Sequence, residues 1–528
     1  MSTDASDVDD TALNNDEPRI LCLPTELLEA ILLAVLTDAF WAHLDPRDPA
    51  EVNAATTRTE LQLVCKHWQS AILHCPRFWV YLDLRVTTTT AVQRAVRLSA
   101  ATPLWIAAKG GKNAIYSSWQ EAESQQAKIV AGLLSTEGHR IGVLILDVSV
   151  SDALSKQNLS EPINLPEEAA ALQYLELHVS PHTEKAPDPL WLAILSRAPH
   201  LTWFYLFGVH NQTFWTTLAN SAPITRLKYL ELDGGDRFPL LDFVSLVRRL
   251  PQLEGLTVWH VIFTEHAGHA AAALENAKNI RASKNATVKR PIELPRLRYL
   301  HIRQGDSKIF GLIQKLVLPP GVNFQLDGVS MIPGDSDRTL RAMSRIAASI
   351  LPDAVRDLHL NVSDTGFCLY GFKSRDFHPA DYLEPDLLVQ LVWYGTGSDM
   401  PLDFVRRVYE LLPLNSVHFL QIKLDPDPCS VHREIEVLRP MLARLTHVEE
   451  LYITDEITEA SMASVAKLLR IDDGEPVPLP RLVSLSCDKI RMWCPACASE
   501  FLGDLCKVLR ARIAGGRPIA RVLARVLA

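Results

Sequence analysis

The chain has 528 residues, 48% of them hydrophobic and 22% charged, with a formal net charge of −9. Such a length exceeds one compact core, so it implies several domains or an array of repeats in which each unit touches only its neighbours. The negative balance argues against a general nucleic-acid binder, and the longest apolar run, Ile31 to Leu36, is far too short to cross a bilayer.

Nine cysteines are scattered singly and no run reads as a signal peptide, which implies a reducing compartment, cytoplasmic and/or nuclear. The Asn-x-Ser/Thr matches at Asn158, Asn211, Asn285 and Asn361 therefore carry no weight as glycosylation sites.

Residues 1–18 are Asp-rich, lack aromatics and end in Pro18, the composition of a disordered acidic tail. A first helix is predicted from Pro24, because proline suits the first helical position. Leu27, Leu28, Ile31, Leu32 and Val35 follow at three- and four-residue steps with Glu29 the only charge among them, so apolar surface extends around much of the cylinder. For the second helix, Thr57 and Glu60 have the spacing of a capping box, and Leu61, Val64, Cys65, Trp68 and Ile72 make one stripe. A helix that is apolar on more than one face is expected to be buried on more than one. Two such helices are too small to form a domain alone. They need a partner.

This region, residues 19–84, resembles an F-box, the helical module that binds the small adaptor subunit of cullin-type ubiquitin ligases. The matching residues are Leu23, Pro24, Glu26, Leu27, Leu28, Ile31 and Leu32, then Leu61, Val64, Cys65, Lys66, Trp68 and Ile72, followed by Pro76 and Trp79. The chain departs from the family where Thr37 to Thr59 replace a short link; Asp48 to Val52 would be the remnant of a middle helix. The resemblance implies that Leu23, Pro24, Leu27, Leu28, Ile31, Leu32, Leu61, Val64, Cys65, Trp68, Ile72 and Trp79 contact the adaptor or buttress the helices that do. The competing reading is an ordinary buried helical hairpin at the start of a globular domain.

Trp79 and the Val-Tyr-Leu-Asp-Leu after it read as a first strand. From residue 85 the chain repeats a Leu-x-x-Leu-x-Leu phrase, clearest at Ala171 to Leu177, Ile224 to Leu232, Leu250 to Val258, Leu294 to Ile302, Val448 to Ile453 and Leu479 to Cys487. Weaker copies lie at Val143 to Leu146, Leu201 to Leu206, Val355 to Leu360 and Val417 to Ile422. The alternation is that of a strand with one buried face, and helical patterns precede several copies. A unit of about 25 to 30 residues is the leucine-rich-repeat period.

Residues 85–514 thus resemble the leucine-rich arrays behind many fungal F-boxes, which implies an α/β fold: a helical module followed by an irregular solenoid, a curved parallel sheet with outer helices. The match is degenerate. The polar Asn/Cys position after the strand is not regular, and spacings break down between Leu256 and Leu300 and between Val362 and Val417. Ala267 to Lys289 and Pro333 to Met343 read as inserted loops or extra helix. An irregular α/β domain with Leu-rich strands is the competing fold.

Glu500 to Ile513 is predicted as a helix ended by Gly515-Gly516, with residues 515–528 a tail or cap. Arg510, Arg512, Arg517, Arg521 and Arg525 there read as complements to the helix macrodipole.

Chemistry is sparse. Gly110-Gly111 and Gly234-Gly235 lack the Lys-Ser/Thr of a phosphate loop, and no Gly-x-Ser-x-Gly elbow occurs. Cys494 and Cys497, flanked by Cys487 and Cys506, have metal or redox spacing without a second pair to complete a zinc site. His260, Glu265, His266 and His269 do not fit the register that a zinc-dependent hydrolase needs. No catalytic residue, cofactor or metal is expected. The reading is a non-enzymatic target-recognition subunit of an adaptor–cullin–F-box ubiquitin ligase, whose partners are the adaptor and an unknown target protein, with no nucleic acid and no membrane. Tyr174, Tyr205, Tyr229, Trp259 and Tyr299 are candidate target anchors on the strands, or core residues beside the Leu-x-Leu positions. The rival is a leucine-rich scaffold outside ubiquitination whose helical pair merely caps the array; a more remote one is an enzyme built on the C-terminal cysteines.

Overall fold

Alternation along short strands decides the architecture. In a computed structural model of the chain, β1 (Tyr81–Asp83), β2 (Leu104–Ala108), β3 (Ile141–Leu146) and β4 (Tyr174–His178) place Leu82, Ile106, Leu144 and Leu175 side by side in parallel register. All four are at most 1% exposed. The structure describes residues 23–44, 53–147 apart from 86 and 110–118, 150, 154, 169–178, 189–208, 223–264, 291–331 apart from 306, 336–350, 355–372 apart from 364 and 365, 387–393, 402–424, 438–454, 465–491 apart from 472, 473 and 475, and 495–527.

The chain divides into two compact units, Met1–Leu206 and Phe207–Ala528. The first opens with α1 (Thr25–Leu44), α2 (Ala54–Val64) and α3 (Lys66–His74), then a 3-10 turn at Pro76–Trp79 leads into β1. Parallel strands need crossovers, and α4 (Thr89–Leu98), α5 (Trp119–Glu137) and α6 (Pro189–Ser196) provide them on the way to β5 (Trp203–Phe207). Strand order follows the chain, β1-β2-β3-β4-β5. The predicted first strand begins two residues late, because Trp79 belongs to the turn.

The second unit repeats the scheme with β6 (Tyr229–Pro239), α7 (Leu240–Arg248), β7 (Gly255–Thr264), β9 (Tyr299–Arg303), α8 (Ile309–Ile313) and β11 (Asn323–Met331). Leu230, Leu256, Leu300 and Phe324 form its buried row. A two-stranded ladder of β8 (Ile292–Glu293) and β10 (Leu316–Val317) lies apart.

The chain then runs through α9 (Ser336–Ser349) into a meander of β12 (Asp357–Ser363), β13 (Gly366–Phe372) and β14 (Leu387–Trp393). Here β14 pairs with β11 and β12 pairs with β15 (Phe419–Leu424), so the antiparallel β13 interrupts an otherwise parallel order. That is why the spacing of the leucine phrases fails between Val362 and Val417. After α10 (Leu402–Leu411), the strands β16 (Glu450–Thr454), β17 (Ser484–Arg491) and β18 (Arg521–Leu527) add in parallel, with α11 (Pro495–Ala514) before the last.

All ten leucine phrases fall on strands, and the extra helix anticipated at 333–343 is α9. The insert at 267–289 lies outside the described residues, as does the acidic segment 1–18. Residues 521–527, left by the sequence as tail or cap, form β18. Helix α11 ends where the glycine pair stands, with Gly516 left-handed at φ 71°. One expectation for its arginines is overturned: Arg512 does not serve the helix end but is fully buried, with Nη1 donating to Pro478 O at 3.0 Å and Nη2 to Leu479 O at 2.7 Å.

The missing regular polar residue after the strands also has a structural counterpart. Gly234, His260, Gln304 and Gly328 carry φ values of 68°, 52°, 48° and 67° and follow directly on Asp233, Trp259, Arg303 and Asp327, which are mutually in register. The Gly208 amide (φ 79°) donates to Asp233 O at 2.9 Å and joins the row. Left-handed backbone therefore recurs at one common rung, just after β5 and β9 and inside β6, β7 and β11, two of whose ladders, β6 with β7 and β11 with β14, shift register there. At the two non-glycine positions this costs about 1–2 kcal/mol each, and His260 is held there by Nδ1 against Asp233 Oδ1 at 2.8 Å.

Candidate functional site

Helix α1 begins just after Pro24, whose carbonyl accepts from the Leu27 and Leu28 amides, both at 3.0 Å. It runs on to Leu44, so Thr37 to Leu44 is two further turns of helix instead of a link. Residues 45–52, with the suggested remnant Asp48 to Val52, lie outside the described residues.

Leu28, Leu32, Leu36 and Phe40 recur every fourth residue and are buried. One residue earlier, a rotation of about 100° on a helix of 3.6 residues per turn, Leu27, Ile31 and Val35 are 54%, 46% and 42% exposed. Within this chain, therefore, one apolar face of α1 is covered and the other is open.

The capping box at Thr57 and Glu60 does not form. Helix α2 starts earlier, with Asn53 as its cap: Oδ1 accepts from the Ala55 and Thr56 amides, both at 3.0 Å. Asparagine is as strong a cap as threonine, and the earlier start buries Ala54, Thr57 and Arg58. Nor does one helix continue through Trp68. Cys65 is extended (φ −161°), ends α2 and caps α3 through Sγ, which accepts from the Trp68 amide at 3.5 Å. The predicted stripe from Leu61 to Ile72 is thereby split between two helices. Leu63 and Val64, at the break, are 78% and 59% exposed.

Trp79 ties the module to β1. Its Nε1 donates to Ile72 O at 2.9 Å, and the guanidinium carbons of Arg58 and Arg94 lie 4.6 and 5.6 Å from its ring centroid. Arg58 also donates through Nη1 to Phe78 O at 3.1 Å; burial, with Arg94 nearby, pulls its pKa down to about 10.

The far end of α1 rests on the open side of the first strands. The Thr37 hydroxyl lies 2.6 Å from the Tyr81 hydroxyl. Phe40 packs on Tyr81 and Trp105, and Trp41 on Trp105 and Tyr174, with centroids 5.3–5.8 Å apart. Tyr81, Trp105, Val143 and Tyr174 are neighbours in register, so α1 covers one rung of this sheet.

Of the residues implied as adaptor contacts, Leu27, Ile31 and Val64 are exposed, as is Pro24 ahead of α1; Leu23, Leu61, Cys65 and Trp68 are half-buried; Leu28, Leu32, Ile72 and Trp79 are buried. Sequence reasoning left Val35 out of that set, although the four-residue step from Leu27 and Ile31 leads to it. It also missed Leu63 and the buried group of Phe40, Asn53 and Arg58.

The candidate target anchors differ among themselves. Tyr174 lies beneath Trp41, and its hydroxyl donates to Glu176 Oε2 at 3.0 Å. Tyr205 packs on His178, Tyr229 reaches Glu254, and Arg303 sits 5.4 Å over Trp259. Tyr299, at 48% exposure, is the most open.

Beside Tyr174, the carboxylate of Glu176 meets Lys109 Nζ and His178 Nε2, each at 2.8 Å. Burial alone would raise its pKa, but the hydrogen bond from His178 and the Lys109 ammonium outweigh burial and hold it down at about 2. A depressed carboxylate stabilises the fold above its unfolded value of 4.5 and loses that stability as pH falls toward 2. This amounts to about 3 kcal/mol in total, of which about 2 kcal/mol is gone at pH 3. Denaturant titrations at pH 5 and pH 3 on wild type and Glu176→Gln check it; equal pH dependence in both would contradict the assignment.

Cys487 is buried, which pushes its thiol up to about 11, and Cys506 is an exposed free thiol. Cys497 lies in the first turn of α11, while Cys494, Glu265, His266 and His269 lie outside the described residues. Among the described residues no group of three or more His, Cys, Asp or Glu could hold a metal, and no helix is long and apolar enough to cross a membrane. A scan against protein-family models finds no match, and no curated protein matches the sequence significantly.

Proposed function

We propose that this chain is the target-recognition subunit of an adaptor–cullin–F-box ubiquitin ligase, in which α1 to α3 are the F-box-like module and the strand-and-helix units are a leucine-rich-repeat-like array. The observation that carries the reading is the second apolar face of α1. A helical cap needs one apolar face against the strands, and Leu28, Leu32, Leu36 and Phe40 meet that need. Leu27, Ile31 and Val35 are then surplus, as are Leu63 and Val64, and they are what an adaptor would cover. Catalysis would be by proximity: the adaptor and cullin hold the ubiquitin-charged enzyme, the repeats hold the target, and effective concentration accelerates transfer without a catalytic residue in this chain. The long α1, seated on Tyr81, Trp105 and Tyr174, gives the rigid joint that such positioning requires.

The test is capture of the small adaptor by the purified chain. Ile31→Asp with Val35→Asp leaves the buried face untouched and is expected to weaken capture by at least about 100-fold, since each buried aliphatic side chain contributes about 1.5–3 kcal/mol. Leu28→Asp is unsuitable, because Leu28 is fully buried and its loss tests folding. Undiminished capture by the double variant, or no capture by wild type, would leave the scaffold outside ubiquitination as the better account.

A further inference from the structure

The last repeat of the second unit lacks what every earlier one has. Helix α7 buries Phe243, Val244, Leu246 and Val247, and α10 buries Phe404, Val405, Val408 and Tyr409, broad arcs that suit a helix flanked on both sides. Helix α11 buries only Leu505, Val508 and Arg512 of its described side chains. Leu502, Cys506, Leu509 and Ile513 follow the helical step on the adjoining face; Leu502 is 51% and Ile513 62% exposed. The next strand shows the same deficit. Val522 of β18 is in register with Leu485, which is fully buried, yet Val522 is 39% exposed and its neighbour Leu523 is 45% exposed. Among the described residues β18 pairs with β17 alone.

The geometry points to β18 and the open side of α11 as a docking surface for an extended, acidic segment of another protein, added as a strand along β18. Such an edge offers unpaired backbone donors and acceptors, and strand addition satisfies them. Charge selects the partner. Lys507, Arg510, Arg517 and Arg521 are exposed at this end, and among the described side chains of α11 and β18 the one carboxylate is Asp504, which already takes Lys507 at 2.8 Å. A second copy of this chain would bring the same cations to the same edge, so self-pairing is disfavoured. Alternation along an added strand would set its apolar residues on the helix-covered side, with Val522 and Ile513, and its acidic residues on the side of Arg521. This surface is separate from the exposed face of α1, and its test involves no adaptor.

The experiment measures binding of labelled ten-residue peptides to the full chain by fluorescence anisotropy: alternating Glu-Val, its Lys-Val counterpart, and the Glu-Val peptide with a central proline. Binding of the Glu-Val peptide alone is expected, at least tenfold weaker with Arg517→Glu and Arg521→Glu combined and lost with Ile513→Asp and Val522→Asp combined. All four positions are exposed, and unchanged circular-dichroism melts verify that the variants fold. Equal binding of the acidic and basic peptides, tolerance of the proline, or no binding at all would overturn the proposal. So would a dimer seen by light scattering that the Ile513→Asp, Val522→Asp variant abolishes, because it would make a second copy the occupant.

Discussion

Trp79→Ala is expected to destabilise the N-terminal helical module by about 3–5 kcal/mol, the range for truncating a buried large aromatic. Three losses coincide. The ring is 5% exposed, so its removal opens a cavity between α3 and β1. The indole N–H no longer satisfies Ile72 O. Arg58 and Arg94 lose the π face that lies against both of them, and Arg58, itself buried, then keeps a charge whose remaining partner is a neutral carbonyl. Limited proteolysis between residues 54 and 79, with denaturant melts of the full chain, measures the effect. Trp79→Phe keeps a ring but not the donor, and should recover roughly half of the loss. Melts of Trp79→Ala that match wild type would show that the module is not anchored through this residue.

Arg512→Ala is expected to cost a similar amount, about 3–5 kcal/mol. Its guanidinium holds two consecutive carbonyls, those of Pro478 and Leu479, and Leu479 has φ 44°, a conformation that a branched side chain rarely adopts. The turn entering the last parallel pair is thus clamped by one buried arginine. Deleting it removes the side-chain donor from the buried Pro478 carbonyl, leaves the Leu479 carbonyl with only the Leu482 amide at 3.1 Å, and releases the strained turn. Arg512→Lys cannot satisfy both carbonyls with the geometry of a planar fork and should rescue less than half of the loss. Hydrogen exchange at residues 479–491 separates this from a global effect: protection there should fall in Arg512→Ala while β1 to β4 are unchanged. Uniform loss of protection would place the clamp's role elsewhere.

Both residues were visible in the sequence, yet neither role was. Trp79 stood out through its motif, but nothing local to it names Arg58, 21 positions earlier, as the cation over its ring. Arg512 lay in a cluster of arginines at a helix end, where the local rule favours the macrodipole. Burial overrode that rule, because a distant turn supplied two carbonyl acceptors. The mistaken capping box has the same origin. Thr57 and Glu60 have the right spacing, but Asn53 begins the helix a turn earlier, and that start places Arg58 beneath Trp79.

What the sequence determined by itself was the alternation. The Leu-x-Leu phrases commit each short segment to a strand with one buried face, because a two-residue period can bury only one side, and the four-residue steps of Leu28 and Leu32 commit α1 to a helix. Pairing lay beyond it. That β12 to β14 fold back into a meander, that five left-handed residues, within or just after their strands, share one rung, and that α1 uses one apolar stripe for its own strands while leaving Leu27, Ile31 and Val35 open are all decided between segments far apart in the chain. Periodicity reports which side chains share a face. Only packing determines which of two equally apolar faces finds a partner, since the outcome depends on surfaces that other segments bring to it.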